Sequence, residues 1–338
     1  MSPNRHMTSL VLGLLAAAGL AATALAAPGY ALVDRIAIPD GGFDYASFDP
    51  VHRRLYVSRA DGVTAIDVDS KTVTGQLTRA GRTHESLLVD GGADLLVTDS
   101  TSNSAHLVDA ATGKVLVDIP TGKKPDAAVL DPSTGLAVVM NGASGDLTLI
   151  DLAARKAVGT IAVGGALEFA APVGGGKLYV NIEDQGQIVA VDLKTRKVIG
   201  RYPLKGCEEP SGLAYAKNAG VMIAACSNNV AKVIRASDGA DLATLAIGKG
   251  PDAVIYDAER KLAFIPCGRD GVLEVIAVNS ASDIKVVGKV TTQPGARTGA
   301  LDPKTGKLYL PTAKYTLAAG GRPLTTPGTF EVLVVAPN

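Results

Sequence analysis

Apolar residues along this chain come in short runs, each set off by a turn rich in Asp, Gly, Pro or Lys. Seven runs are equivalent: Leu55-Tyr-Val-Ser, Leu95-Leu-Val-Thr, Leu136-Ala-Val-Val, Leu178-Tyr-Val-Asn, Val221-Met-Ile-Ala, Leu262-Ala-Phe-Ile and Leu308-Tyr-Leu-Pro. Their starts lie 40, 41, 42, 43, 41 and 46 positions apart. A segment such as Ala127-Ala-Val-Leu-Asp131 or Ala253-Val-Ile-Tyr-Asp257 leads into the run. Two more follow it, as in Val63-Thr-Ala-Ile-Asp-Val with Thr72-Val-Thr-Gly-Gln-Leu. The connections Asp109-Ala-Ala-Thr-Gly-Lys and Asp192-Leu-Lys-Thr-Arg-Lys carry hairpin chemistry. Four strands recurring about every 41 residues is the signature of a β-propeller blade. The pattern therefore predicts an all-β, seven-bladed β-propeller with four antiparallel strands per blade.

Ring closure is also predicted. The last repeat runs out at Asn338 without an outermost strand, whereas Ala31-Leu-Val-Asp-Arg-Ile-Ala-Ile38 resembles the outer strands of other repeats. Placing residues 31–38 in the last blade leaves no open sheet edge there. Residues 28–338 are then one domain. Before it, Arg5 and His6 precede an apolar stretch from Leu10 to Leu25 that ends in Ala24-Leu25-Ala26. That arrangement predicts a signal peptide over residues 1–26 and a periplasmic or secreted, non-inserted mature protein.

Composition narrows the function classes. Lys+Arg and Asp+Glu number 33 each among 338 residues, so the chain lacks the basic field of a nucleic-acid binder. Hydrophobic residues at 47% exclude wholesale disorder. With 38 Gly and aromatics at only 4%, the chain suits short strands joined by tight turns.

The Leu-Tyr-Val-Ser and Leu-Tyr-Val-Asn runs, the Pro-Asp-Ala…Asp-Pro-x-Thr-Gly turns and the terminal Pro327-Gly-Thr-Phe-Glu-Val-Leu-Val-Val resemble YVTN-repeat propellers of the YncE-like type. The resemblance spans nearly all of the mature chain. It implies a bacterial extracytoplasmic seven-bladed propeller and no common reaction. The absence of Trp separates the chain from WD-type blades and from Trp-docked quinoprotein propellers.

Aligned on these repeats, Asp44, Glu85, Asp126, Glu168, Ser211, Asp252 and Arg297 share one position at the start of the innermost strand, facing the axis. Converging carboxylates suit a divalent cation, Ca²⁺ or Zn²⁺, with Glu85 and Glu168 the named ligands. They equally suit a cationic ligand, held by Asp44, Asp126, Asp252 and Glu208 with Arg297 balancing charge. The plainer alternative has these acids accepting hydrogen bonds from turn backbones in every blade. His84, beside Glu85, is the candidate proton carrier, with Glu85 as its partner in catalysis. No Gly-x-Ser-x-Gly, His-Glu-x-x-His or phosphate loop occurs. Cys207, Cys226 and Cys267 are expected on one face, with Cys207–Cys226 a bridge within a blade and Cys226–Cys267 its rival. A long connection between Tyr315 and Gly328 breaks the repeat and brings Arg322 toward the channel mouth.

Two functions follow from this reading. The first is a monomeric binding or scaffold protein that recognises a small ligand or a protein partner at the channel face. The second is a metal-assisted lactonase or hydrolase using the channel-mouth carboxylates and His84.

Overall fold

A computed structural model describes residues 29–317 and 323–338; the expected leader over residues 1–26 and the side chain of Arg322 lie outside them. The described strands form seven four-stranded antiparallel sheets arranged as blades and one two-stranded pair, Tyr315–Leu317 with Pro323–Thr325. Blade 1 comprises Phe43–Asp49, Arg54–Arg59, Gly62–Asp67 and Val73–Arg79, ordered from the axis outward. Blades 2 to 6 repeat this up-and-down order, and blade 6 ends with Asp283–Thr291.

Blade 7 is completed from both ends of the chain. Ala300–Leu301, Leu308–Thr312 and Glu331–Pro337 are joined by Tyr30–Ala37 as the outermost strand. Tyr30 pairs with Pro337 and Ala37 with Glu331, and the amide of Asn338 donates to the carbonyl of Gly29 at 2.8 Å. Arg35 adds an ion pair to Glu331, and Lys71 of blade 1 reaches Asp34 at 2.6 Å. The sevenfold, head-to-tail ring expected from the repeats is the observed one.

The second strands read as unbroken apolar runs because each blade is buried on both faces, as in any sheet covered on its two sides. Leu136–Asn141 shows the consequence. Ala137 and Val139 pack toward blade 2 with Leu96, Ala105 and Leu107, while Val138 and Met140 pack toward blade 4 with Leu178 and Val180. The seven blade interfaces each carry one such cluster, built mainly from Val, Leu, Ile and Ala. Between the inner strands of blades 5 and 6 the backbones come close. A Cβ on Gly212 would meet the backbone of Ala253 at 2.4 Å, so only glycine fits there.

The turns are held by a second set of acids. Asp49 accepts from the amides of Val51 and His52, Asp131 from Thr134, Asp257 from Glu259 and Arg260, and Asp302 from Lys304. In the hairpins, Gly113, Gly135 and Gly306 adopt φ near +75°, and their amides donate back to Asp109, Asp131 and Asp302. Asp302 also takes the Arg53 guanidinium at 2.6 Å, tying blade 7 to blade 1.

Removing residues 29–38 exposes the Glu331–Pro337 edge and strips the buried Ile36 and Ile38 from the last blade. Each buried aliphatic side chain contributes about 1.5–3 kcal/mol, so the truncated protein is expected to lose roughly 10 °C in Tm and to aggregate on heating. A melting curve for the truncation that overlays the full-length one would contradict closure as a stabilising device.

Candidate functional site

The innermost strands converge on the axis, and the loops leading into them place the acids of the repeat together. His84, from the loop before blade 2, lies between acids of the two flanking blades. Its Nδ1 is 2.7 Å from Oδ2 of Asp44 in blade 1 and 3.5 Å from Oδ1 of Asp126 in blade 3. Arg297, before blade 7, donates through Nε to Asp252 of the blade 6 loop at 2.7 Å and lies 3.8 Å from Asp44. It also donates to the carbonyl of Phe43 at 3.2 Å and stacks its guanidinium over the Phe43 ring at 5.2 Å. Across the axis, the Tyr45 hydroxyl of blade 1 approaches Glu168 of blade 4 at 3.4 Å.

Tyr45 and Phe169 close the bottom of this acidic cup. Their ring centroids are 5.1 Å apart, and Tyr45 is buried in the apolar cluster that also holds Ala127 and Ala253. Sequence reasoning missed this plug, although the position following the axial acid carries a signal. It reads Tyr45, Ser86, Ala127, Phe169, Gly212, Ala253 and Thr298. Five small residues leave a void that the two large rings, from blades 1 and 4, fill.

The axial acids do not share the turn-holding role of Asp49 or Asp131. Asp44 takes a histidine and Asp252 an arginine, while Glu168 meets only the tyrosine hydroxyl. Asp126 has its nearest charges at His84 and at Lys124, the latter 3.7 Å away. Glu85 alone accepts from a backbone amide, that of the adjacent Ser86 at 2.9 Å. Of the remaining expected site residues, Glu208 is exposed on the loop before blade 5. Ser211 donates to the carbonyl of Pro251 at 3.3 Å.

Burial dominates the electrostatics. It pushes the Glu85 carboxyl from an ordinary 4.5 up to about 8, with Asp44 and Asp126 adding to the rise. Glu168 is raised by burial and then by Asp126 and Asp252. Asp126 and Asp252 rise for the same first reason, opposed by His84 and Arg297 respectively. Burial pulls the His84 imidazole down, but Asp44 and Asp126 outweigh it and its pKa is raised. His84 is 8% exposed and its Nε2 has no partner among the described residues. A buried polar nitrogen left in that state costs about 1–3 kcal/mol.

Among the described residues no three side chains of His, Cys, Asp and Glu are gathered so as to hold an ion, so Glu85 and Glu168 are not joined into a donor set. Cys207 and Cys226 are joined to each other. Cys267 is free and buried, and desolvation pushes its thiol up to about 12, out of reach of thiolate chemistry.

Beside the cup a cleft of about 500 Å³ opens between blades 6 and 7, lined by Pro251, Asp252, Arg269, Pro294, Arg297 and Tyr315, with glycine backbone between them. The inner strands there are short, Ile255–Asp257 and Ala300–Leu301, and the approaches to them are held by single pairings, Pro251 bridging Cys267 and the Gly295 amide donating to the Gly268 carbonyl at 2.7 Å. Asp252 and Arg297 belong to both the cleft and the cup.

Stability should follow these titrations. Glu85 and His84 both have raised folded-state pKa values, so the folded protein binds more protons than the unfolded chain between about pH 5 and 8. Stability is then greatest at the acid end of that window and falls as pH rises, by an amount on the order of a few kcal/mol. Denaturant titrations across this range should show the decline, flattened in Glu85→Gln; a rise with pH would contradict it.

No family model and no curated protein matches the chain. Solved structures do. The Hydrazine Synthase of Kuenenia stuttgartiensis superposes with a TM-score of 0.72 at 15% identity, covering 86% of this chain and 97% of that one. A structure titled Mitotic Checkpoint Complex gives 0.71 at 14% identity, covering 98% of each. At such identities the likeness is one of fold, and it agrees with the ring of seven blades.

Proposed function

We propose that this is an exported binding protein that takes a small ligand at the channel face, in the cleft between blades 6 and 7 and the acidic cup beside it. The observation that carries the reading is the cleft itself. It is a concave, largely apolar opening with one half-buried acid in its lining, Asp252, whose carboxyl desolvation pushes up, the usual makeup of a ligand site. Export is supported by the charged, apolar and small-residue pattern of the first 26 residues and by the Cys207–Cys226 bridge, which suits an oxidising compartment. The tyrosine-valine runs that resemble YncE-like propellers point the same way.

A small ligand is preferred to a protein partner because the exposed large apolar residues do not gather on the channel face. Val33, Val115, Ile199, Val286 and Val287 lie on the outer strands of four different blades, Val51 on a turn of blade 1, and Leu324 alone on the Pro323–Thr325 strand beside Tyr315. A hydrolase is not the preferred reading. His84 is held between two carboxylates, and the donors its metal would need are not assembled.

Ligand-observed NMR screening of a fragment library against the purified chain tests the proposal. Hits are expected whose saturation transfer disappears in Tyr315→Ala and Asp252→Asn variants of undiminished Tm. Hits that persist unchanged in both variants, or none at all, would overturn it.

A further inference from the structure

We propose that the pocket between blades 4 and 5, on the face opposite the cup, binds the phosphate group of a small phosphorylated molecule. This site is separate from the channel-face cleft and does not rest on it.

A break in the repeat is the first argument. The third strand of blades 1 to 4 ends on an aspartate, Asp67, Asp109, Asp151 and Asp192. Each accepts from amides of the turn that follows. Blade 5 ends the same strand, Val230–Arg235, on an arginine, and the turn is held instead by Asp238, which accepts from the Ala240 amide at 3.0 Å. The first strand changes in the same quarter of the ring. It ends on Asp49, Asp131 and Asp257 in blades 1, 3 and 6, but on Gly174 and Ala216 in blades 4 and 5. Repeat acids are therefore missing from this corner, and a guanidinium stands in place of one of them.

A pocket of about 350 Å³ opens there. Lys177 and Tyr179 of blade 4 line it together with Tyr215, Arg235 and Ser237 of blade 5, and no carboxylate does. Its polar side chains are an ammonium, a guanidinium and hydroxyls, all able to donate. The Tyr179 hydroxyl is already given to the Ala236 carbonyl and its ring stacks on Tyr202, which fixes it as a wall. Arg235 gives Nη1 to Asp238 at 2.8 Å in a half-exposed pair of the kind that contributes little in water. Nε and Nη2 are left to meet a ligand.

The ring carries its own comparison. Between blades 1 and 2 the Tyr56 hydroxyl donates to the Ala110 carbonyl at 3.4 Å, as Tyr179 does to Ala236, and Arg54 stands where Lys177 does. That pocket has Asp67 and Asp109 in its walls to balance Arg54. The fold makes the hollow in both places; the blade 4–5 copy alone of these two is cationic.

A hairpin of blade 6 encloses the site. Its strands, Val272–Ser280 and Asp283–Thr291, have nine residues each, against six or seven in the corresponding strands of blades 1 to 5. The extension leans over blade 5, where Asn218 donates to the Val278 carbonyl at 2.8 Å, and sets Ala281 on the pocket wall. The acid near its tip, Asp283, is occupied by Asn279 and Lys285. A phosphate monoester suits such a lining. Its three terminal oxygens accept from the lysine, the arginine and a hydroxyl together, whereas a carboxylate has two.

Calorimetric titration of the purified, disulfide-bonded chain with phenyl phosphate, benzoate and benzyl alcohol tests the site. Phenyl phosphate should bind at least roughly tenfold more tightly than the other two. Its affinity should rise from about pH 5 to about pH 8, as the second phosphate ionisation near pH 6 completes the dianion. Arg235→Asp, which installs the residue of blades 1 to 4, should weaken phenyl phosphate at least roughly tenfold, and Lys177→Ala serves should that variant unfold. Asp252→Asn and Tyr315→Ala should leave it unchanged, so that loss of the channel-face reading leaves this site standing. Equal or tighter binding of benzoate or benzyl alcohol overturns the proposal. So does an affinity for phenyl phosphate that survives both Arg235→Asp and Lys177→Ala, or no binding of it up to about 10 mM.

Discussion

Burial of each blade on both faces is the constraint from which the rest of this structure follows. A sheet covered on one side could remain open, but these strands are apolar on both and must be sandwiched between neighbours. Seven such sheets satisfy one another only as a closed ring, which the Tyr30–Ala37 strand completes against Glu331–Pro337. Closure then brings the innermost strands together at the axis. Residues far apart in sequence but alike in repeat position, such as Asp44, Asp126 and Asp252, become neighbours there.

That geometry sets the chemistry. Repetition multiplies one residue type around a small circumference, so a carboxylate at the axial position becomes a cluster of like charges with little solvent around it. The departures from the repeat relieve it. Arg297 stands where an acid would and pairs with Asp252 and Asp44, and His84 is wedged between Asp44 and Asp126. The relief is incomplete, and the remaining charge resides in carboxyls such as Glu85 that hold their protons near neutrality.

Much of this was legible in the sequence, and what was not has physical causes. The ring, the order of strands and the borrowed outer strand follow from apolar periodicity and turn chemistry, both local signals. The axial acids were legible because they repeat. Their neighbours were ambiguous: an aspartate that anchors a turn, such as Asp131, and one that faces the axis, such as Asp126, differ only by position along the same strand. The Tyr45–Phe169 plug depends on contact across the ring between blades 1 and 4, which no local pattern encodes. The cleft lies beside two short inner strands, and the Gly250-Pro251 and Pro294-Gly295 pairs on its walls read in sequence as ordinary turns.

The axis holds more carboxyl groups than the protein can keep ionised at neutral pH. A carbon-detected NMR titration of the Asp and Glu side-chain carboxyls measures this directly. Glu85 should titrate near 8 and Glu168 well above the usual carboxylate range, each sensing the ionisation of Asp126. If every carboxyl at the axis were fully ionised by about pH 5, the cluster would be solvated and electrostatically ordinary, and the cup described here would not exist as a site.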